Sequence, residues 1–263
     1  MYDFNYIQAK SVDEAVKNHG SASEATYLAG GMTLIPTLKQ RLAQPSDLID
    51  LAKIADLAGI SVKGNSVRIG AMTRHAQVAE SADVLKAIPA LAALAGGIGD
   101  PMVRNRGTMG GSIANNDPAA DYPSAVVGLG ATVHTSKRNI PADEFFTGMF
   151  ETALEPGEMV TAVTFPVPEK AAYMKFPNPA SRYAIVGVFV SKTGANVRVA
   201  VTGAGPCVFR AEEMEKALAK DFSAKAIEGI KLGADGLNSD IHASADYRAH
   251  LITVMAKRAV AAA

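Results

Sequence analysis

One stretch of fifteen residues, from Gly107 to Asp121, constrains the fold of this chain more than any other. It combines three glycines, two asparagines, a proline and two aspartates, which is not the composition of a packed hydrophobic core. A Gly-Gly pair allows positive φ angles and close approach of the backbone to a ligand. Because successive N–H groups in such a turn bind anions, the stretch predicts half of a nucleotide cradle. The alternative interpretation is a solvated loop.

A second Gly-Gly pair lies upstream, at Gly30 and Gly31. An apolar strand, Thr26 to Ala29, runs straight into it, and a helix is predicted after it as far as Arg41. The order strand, glycine turn, helix points backbone N–H groups and the positive end of a helix at a phosphate. It is not the Rossmann fingerprint, because the spacing G-x-G-x-x-G is missing.

The pattern of strands and helices predicts an α+β chain in three parts. Residues 1–55 read as a βαβαβ unit whose first helix begins with the capping box Ser11 to Glu14. Residues 56–170 form a mixed part with a hairpin at Gly64-Asn65 and a helix from Asp83 to Ala95 that Pro89 splits. Residues 171–263 form a three-stranded antiparallel sheet followed by three helices, predicted at residues 210–220, 224–232 and from 245 to near the end.

Charge and cysteine content exclude several classes of function. Lys plus Arg and Asp plus Glu both number 26, so the basic surface expected of a nucleic-acid binder is missing. No apolar run reaches the ~18–20 residues of a membrane span, and no signal peptide is seen. Cys207 is the only cysteine, so this chain holds no cysteine-ligated iron–sulfur cluster, and we expect a cytoplasmic location. The five histidines are scattered, so no metal site is expected.

Several segments together resemble one family over essentially the whole chain. They are Ala29 to Pro36, the entry Val103 to Thr108 with the turn that follows it to Ser112, the run Asn116 to Pro123, and Thr202 to Pro206. This combination resembles the FAD-binding medium subunit of the molybdenum hydroxylases, the xanthine dehydrogenase and carbon monoxide dehydrogenase family. The length also fits a separate subunit and not the fused single-chain form.

The resemblance implies a fold and a function. The fold is a two-subdomain FAD-binding domain of the vanillyl-alcohol-oxidase (PCMH) type, followed by a small α/β C-terminal domain of the CO dehydrogenase flavoprotein type. The function is electron transfer through FAD between a small [2Fe–2S] subunit and an external acceptor: NAD, a quinone or oxygen. A large subunit with a molybdopterin cofactor would oxidise the substrate, which implies a heterotrimer or its dimer and no catalytic residue in this chain.

The resemblance also implies which residues contact FAD. They are Leu28, Ala29, Gly30, Gly31, Met32, Thr33, Leu34, Ile35, Ile98, Thr108, Met109, Gly110, Gly111, Ser112, Asn116, Asp117, Asp121, Val160, Lys175 and Tyr183. The two Gly-Gly segments would hold the pyrophosphate through backbone N–H groups, and Asn116 to Asp121 would close the adenosine side.

Four of these residues are implied to lie around the flavin ring. Ile98 and Val160 would line its pocket, Lys175 would lie near its pyrimidine edge, and Tyr183 would cover it. Three alternatives stay open from the residues alone: Lys175 as a solvated strand lysine, Tyr183 as a core residue, and Asp121 as a cap of the following helix.

Two other functions remain as alternatives. The first is a self-sufficient flavoenzyme of the same fold, which would place its own acid or base over the flavin. The second is a non-enzymatic nucleotide-binding or assembly module. The substrate stays open, because the family acts on purines, aldehydes, carbon monoxide, nitrogen heterocycles and aromatic thioesters with similar flavin subunits.

Overall fold

The structure, a computed structural model, describes all residues from Met1 to Ala263. The chain begins with a parallel three-stranded sheet in the order β1-β3-β2. Its elements are β1 Asn5–Gln8, α1 Val12–Ser21, β2 Ala25–Leu28, α2 Leu34–Lys39 and β3 Asp47–Asp50. The βαβαβ order predicted for this segment is present, and the Ser11 hydroxyl caps α1 by accepting from the N–H of Glu14 at 3.1 Å. Because the strands are parallel, β2 and β3 both end at the edge where the first Gly-Gly pair lies.

A second sheet of five antiparallel strands follows, in the order β4-β5-β10-β6-β7. The predicted hairpin at Gly64-Asn65 joins its first two strands. A short separate hairpin, β8 and β9, precedes the central strand β10. The strands of this segment are β4 Ile60–Lys63, β5 Ser66–Gly70, β6 Thr132–Thr135, β7 Asn139–Pro141, β8 Phe146–Gly148, β9 Glu151–Thr152 and β10 Val160–Pro166.

Seven helices pack with this sheet around the largest hydrophobic core. They are α3 His75–Glu80, α4 Ala82–Ala87, α5 Pro89–Gly96, α6 Pro101–Arg106, α7 Met109–Asn115, α8 Tyr122–Gly128 and α9 Ala142–Phe145. Pro89 divides two helices as predicted and is the first residue of α5, where its missing N–H costs nothing. Helix α3 begins at His75, and the Thr73 hydroxyl just before it is bonded to the backbone of Gly59.

The C-terminal segment differs from its prediction in two ways. Its antiparallel sheet has four strands, in the order β11-β12-β13-β14, because a two-residue strand too short to leave a pattern follows the predicted three. The helix predicted at 224–232 is only a 3₁₀ turn, Ala224–Ile227, with Gly229 two residues beyond it. The other elements are β11 Lys170–Pro177, β12 Ala184–Thr193, β13 Asn196–Thr202, β14 Phe209–Arg210, α10 Glu212–Lys220 and α11 Ala245–Ala262.

Helix α8 joins the C-terminal sheet to the rest of the chain. The Ser191 hydroxyl donates to the carbonyl of Gly128 at 2.6 Å, and the Thr202 hydroxyl donates to that of Ala120 at 2.6 Å. The first bond holds the end of α8 and the second holds its start, and with it Asp121, against β12 and β13. Among the helices, none combines the length and the apolar character that crossing a bilayer would take.

Candidate functional site

A cavity of about 580 Å³ lies between the two Gly-Gly segments. Its volume falls in the range of about 300–1,000 Å³ typical of small-molecule and cofactor sites. The predicted site residues that line it are Ala29, Gly30, Gly31, Met32, Thr33, Leu34, Ile98, Thr108, Gly110, Gly111, Ser112, Asp117, Asp121, Val160 and Tyr183. Five predicted residues do not line it: Leu28, Ile35, Met109, Asn116 and Lys175.

The first Gly-Gly segment offers a row of free hydrogen-bond donors. The backbone N–H groups from Ala29 to Thr33 donate to no acceptor within the chain. Gly31 has φ +74°, a left-handed conformation that glycine adopts without strain and that turns the chain from β2 into α2. Five consecutive open N–H groups at a cavity and a helix start form a site suited to an anion such as a pyrophosphate.

Gly30 brings the two segments into direct contact. A Cβ atom at this position would lie 2.2 Å from the carbonyl oxygen of Arg106 and 2.9 Å from the Cα of Gly107. No side chain fits there, so the first segment packs on the backbone just before the second one. The structure therefore brings together the two segments that are about eighty residues apart in the sequence.

The second Gly-Gly segment differs from its prediction, because it is the first turn of helix α7 and not an open turn. The N–H groups of Met109, Gly110 and Ser112 already donate to the carbonyls of Thr73, Ala71 and Thr108, at 2.8–3.1 Å. The N–H of Gly111 donates to the Thr108 hydroxyl, which caps the helix, at 3.2 Å. Of the donors expected between Thr108 and Ser112, only the N–H of Thr108 is open.

Gly110 lines the cavity and also packs closely on the second sheet. A Cβ atom there would lie 2.5 Å from the Cβ of Ala71, at the end of β5. The corresponding atom on Gly111 would lie 2.9 Å from the Thr108 hydroxyl oxygen and 3.5 Å from the Cβ of Ala29, across the gap between the segments. The two neighbouring glycines thus face different sides: one faces the second sheet and the other faces the first segment.

Asn116 does not line the cavity, and its side chain holds a neighbouring hairpin in place. It is fully buried with φ +43°, and its side-chain amide donates to the carbonyls of Gly148 and Glu151 at 2.8 and 2.7 Å. These bonds fasten the β8–β9 hairpin to the end of α7. Asp117, directly after it, does line the cavity, and burial raises the pKa of its carboxyl although the N–H of Ala119 donates to it.

Asp121 and Lys175 form a buried ion pair. The Lys175 Nζ lies 2.9 Å from the Asp121 Oδ1 and also donates to the carbonyl of Gly97 at 2.8 Å. The Tyr173 hydroxyl donates to the same carboxylate at 2.5 Å. Burial raises the pKa of Asp121, while the Lys175 ammonium and the Tyr173 hydroxyl oppose that rise.

This pair bears on two expectations and on two alternatives. Residues in direct contact do not serve opposite ends of an extended dinucleotide, so Asp121 at the adenosine side and Lys175 at the flavin edge are incompatible. The Lys175 side chain is only 11% exposed, so it is not a solvated strand lysine. Asp121 occupies the N-cap position of α8, but its side chain makes no hydrogen bond to the N–H groups of that helix.

Ile98 and Tyr183 lie on the same side as the pair. Ile98 follows Gly97, the residue bonded to Lys175. Tyr183 is 45% exposed, which excludes the core interpretation, and burial together with the charges of Asp117 and Asp121 raises its hydroxyl pKa. These residues therefore form one polar-rimmed part of the cavity.

The cavity also has an apolar wall that the sequence does not indicate. Leu51, Met72 and Met159 belong to or pack on a small core beneath the first sheet, and Leu154 also lines this wall. Their signal was weak, because they come from four separate segments; only the position of Leu51, at the end of β3 beside the first Gly-Gly pair, pointed to the site. The other lining residues that were not predicted include Thr26, Tyr27, His75, Gly99, Val103, Glu158, Ser181 and Arg182.

Glu158 also lines the cavity. Burial opposes its ionisation, but hydrogen bonds from the Arg138 guanidinium, the Glu155 N–H and the Thr135 hydroxyl outweigh burial and lower its pKa to about 2. It is therefore an ionised residue at neutral pH whose charge is already satisfied. Among the described residues, no group of three or more His, Cys, Asp or Glu is arranged to hold a metal ion.

Comparisons with known proteins agree over the whole chain. Residues 2–168 match the model of an FAD binding domain in molybdopterin dehydrogenase, and residues 171–263 match the model of a CO dehydrogenase flavoprotein C-terminal domain. The carbon monoxide dehydrogenase medium chain of Hydrogenophaga pseudoflava is 36% identical over 99% of this chain and 96% of its own.

Two further likenesses cover nearly the full length. The nicotine 6-hydroxylase medium subunit of Paenarthrobacter nicotinovorans is 34% identical over 97% of this chain and 95% of its own. The solved carbon monoxide dehydrogenase from Hydrogenophaga pseudoflava that lacks the Mo-pyranopterin moiety of the molybdenum cofactor superposes with a TM-score of 0.88, at 36% identity, over 100% of this chain and 97% of that one.

Proposed function

The chain belongs to the family of FAD-binding medium subunits of the molybdenum hydroxylases, and on that premise we propose that FAD binds in the cavity between its two Gly-Gly segments. The single observation that carries this proposal is the row of open N–H groups from Ala29 to Thr33. Donors that find no partner in the chain, placed at a cavity of cofactor size, fit the doubly charged pyrophosphate.

The chain is the electron-transfer subunit of a heteromeric molybdenum hydroxylase. Its fold is the two-subdomain FAD-binding domain followed by the CO dehydrogenase flavoprotein C-terminal domain. Bound FAD supplies chemistry that takes up and releases electrons singly or in pairs. A large subunit with the molybdenum cofactor and a small iron–sulfur subunit are its partners, and the residues of this chain hold and shield the flavin.

We place the parts of FAD by the chemistry of the lining residues. The pyrophosphate lies against Ala29 to Thr33 and the open N–H of Thr108. In this proposal the adenosine lies against the apolar wall around Leu51 and Met159, and not against residues 116–121 as the resemblance implies. Adenine is a flat, largely apolar ring, so this wall suits it better than a buried carboxylate does.

The flavin then lies toward Ile98, Tyr183 and the Asp121–Lys175 pair. Lys175 does not line the cavity, so it acts on the ring through Asp121 and does not touch it. The pair is close to neutral as a unit, because the ammonium charge is balanced 2.9 Å away. Tyr183, half-exposed at the rim, is placed to cover the ring and to limit the access of water.

The absorption spectrum of the purified full-length chain tests the proposal. We expect a yellow protein with a flavin spectrum, or a colourless one that becomes yellow on addition of FAD. A chain that is folded, as judged by circular dichroism, but that takes up no FAD contradicts it. In the complete complex, bound flavin should be reduced only when the substrate is oxidised by the large subunit. Reduction by a small substrate in the isolated chain would favour the self-sufficient flavoenzyme instead.

We also propose three finer points that the family leaves open. The acceptor is an external small molecule, NAD, a quinone or oxygen, and the rates at which each reoxidises the reduced complex distinguish them. The second point is a cytoplasmic location, which is compatible with the single cysteine, Cys207, and which cell fractionation tests. Boundaries near residues 55 and 170 separate the two FAD-binding subdomains and the C-terminal domain, and limited proteolysis tests them.

A further inference from the structure

His75 lines the cavity but has no role in the proposed arrangement of FAD. It is the first residue of α3 and the only histidine in the cavity wall, and it is 4% exposed. Its backbone N–H donates to the carbonyl of Gly107 at 3.0 Å, which ties it to the residue before the second segment. The imidazole of His75 is therefore buried and fixed beside the second Gly-Gly segment.

The two ring nitrogens of His75 are in different surroundings. Nδ1 is sealed from solvent and has no hydrogen-bond partner. Nε2 has no partner in the chain either, but it is not sealed, since it lies against the cavity. A Cβ atom on Gly107 would lie 2.5 Å from Nε2, so this nitrogen rests directly on the glycine backbone.

The surroundings select one form of the ring. Burial lowers the pKa of His75 to about 4, and the nearby Arg104 guanidinium acts in the same direction, so the ring is neutral at pH 7. A proton on Nδ1 would point at no acceptor in a sealed position, which is costly. A proton on Nε2 would point toward the cavity, where a ligand oxygen could accept it.

The nearest open donors show which ligand atoms come close. Gly107 lies between His75 and Gly30, because a Cβ atom on Gly30 would lie 2.9 Å from the Gly107 Cα. The open N–H of Thr108 follows immediately, and the open N–H groups from Ala29 to Thr33 stand across the contact. His75 Nε2 is therefore at the edge of a cluster of donors with no acceptors of their own.

We propose that neutral His75 donates a hydrogen bond from Nε2 to the FAD pyrophosphate and thereby positions the dinucleotide between the two Gly-Gly segments. The inference rests on the proposed function, because it assigns a residue to the same cofactor. A neutral donor adds affinity without adding a positive charge, and its position is fixed by the backbone bond to Gly107.

Titration of the full-length apo chain with FAD, followed by flavin fluorescence, tests the inference. His75→Leu should raise the dissociation constant about 10- to 100-fold, as expected for a lost hydrogen bond to a charged group. His75→Gln, whose amide nitrogen reaches the place of Nε2, should stay within about threefold of the wild type. Tyr122→Phe is the matched control, because it removes another buried, unpartnered polar atom beside His75 and should leave the affinity unchanged.

Two further measurements keep the test decisive. The ³¹P resonances of bound FAD should shift in His75→Leu and not in Tyr122→Phe. In the wild-type holo chain, ¹⁵N spectra of labelled histidine should show the His75 proton on Nε2, a result that needs no variant to fold. A proton on Nδ1, or equal losses of affinity in His75→Leu and His75→Gln, would overturn the inference.

The failure of this inference and the failure of the proposed function look different. If the wild-type chain takes up no FAD, the proposed function itself is wrong. If the wild type binds FAD and folded His75→Leu binds it equally well, only the role of His75 is wrong.

Discussion

Replacing Lys175 by methionine tests the buried ion pair beside the proposed flavin position. The substitution keeps the length of the side chain but removes the ammonium, which lies 2.9 Å from the Asp121 Oδ1 and 2.8 Å from the carbonyl of Gly97. The Asp121 carboxylate, 5% exposed, would keep only the Tyr173 hydroxyl as a donor. A buried charge would then lack its counter-charge.

The expected loss of stability is large. Removing one partner of a buried pair costs about 3–5 kcal/mol, because the other charge stays desolvated. At about 2–4 °C per kcal/mol for a chain of this size class, the melting temperature should fall by roughly 6–20 °C. Lys63→Met is the control, because this exposed strand lysine on β4 has no ion pair, and its effect should stay within about 0.5 kcal/mol.

The loss should also depend on pH. The pKa of Asp121 is already raised by burial, and the variant removes the ammonium that opposes the rise, so the pKa rises further. A carboxyl whose folded-state pKa is raised binds its proton more tightly in the folded state. Its contribution is therefore favourable at low pH and is lost as the pH rises through the raised value. The stability deficit of Lys175→Met should be larger at pH 8 than at the acid limit of folding.

Urea unfolding of the wild type, Lys175→Met, Asp121→Asn and the double variant measures the coupling directly. The double variant should be more stable than Lys175→Met alone, because no charge is left unpaired. Additive effects with no coupling, or a deficit that does not change between acid and alkaline pH, would refute the assignment of an ion pair that is energetically coupled.

The glycines of the two segments should respond differently to substitution. Gly30→Ala should weaken FAD binding at least about tenfold in titrations, because its Cβ would lie 2.2 Å from the carbonyl oxygen of Arg106 and force the segments apart. Gly110→Ala should lower the melting temperature more than Gly111→Ala, since only the former overpacks against the end of β5, at a cost of about 1–3 kcal/mol. Glu158→Gln should reduce the acid-induced loss of stability between about pH 4.5 and about pH 2, because it removes the share of Glu158, whose folded-state pKa is lowered to about 2. The ionised form of Glu158 stabilises the fold above that range, and acid titration followed by circular dichroism measures the difference from the wild type.

Local signals predicted much of the fold. The Gly64-Asn65 turn, the break at Pro89 and the Ser11 cap each act within a few residues, and each is present. The elements that escaped prediction depend on distant partners. The β8–β9 hairpin is held by the side chain of Asn116, about thirty residues earlier, and no spacing in the sequence records that bond.

The two Gly-Gly pairs show why the site was predicted only in part. Both have the composition of an anion-binding turn, so the sequence predicts the same role for both. No carbonyl of the chain accepts from the N–H groups of the first pair, and its donors remain open. The second lies beside the carbonyls of Ala71 and Thr73 at the end of β5, which accept from Gly110 and Met109 and draw the segment into helix α7.

Whether a glycine turn binds an anion therefore depends on competing acceptors as well as on its own residues. A backbone N–H that already donates to a carbonyl in the folded chain gains little from a phosphate, because one hydrogen bond only replaces another. An open N–H at a cavity gives up only a bond to water when the ligand arrives, and its bond to a charged phosphate contributes about 1.5–3 kcal/mol. The affinity for FAD should accordingly reside mainly in residues 29–33, while residues 109–112 set the distance between the segments. Substitutions in the second segment should thus act on FAD binding in proportion to how far they displace the first.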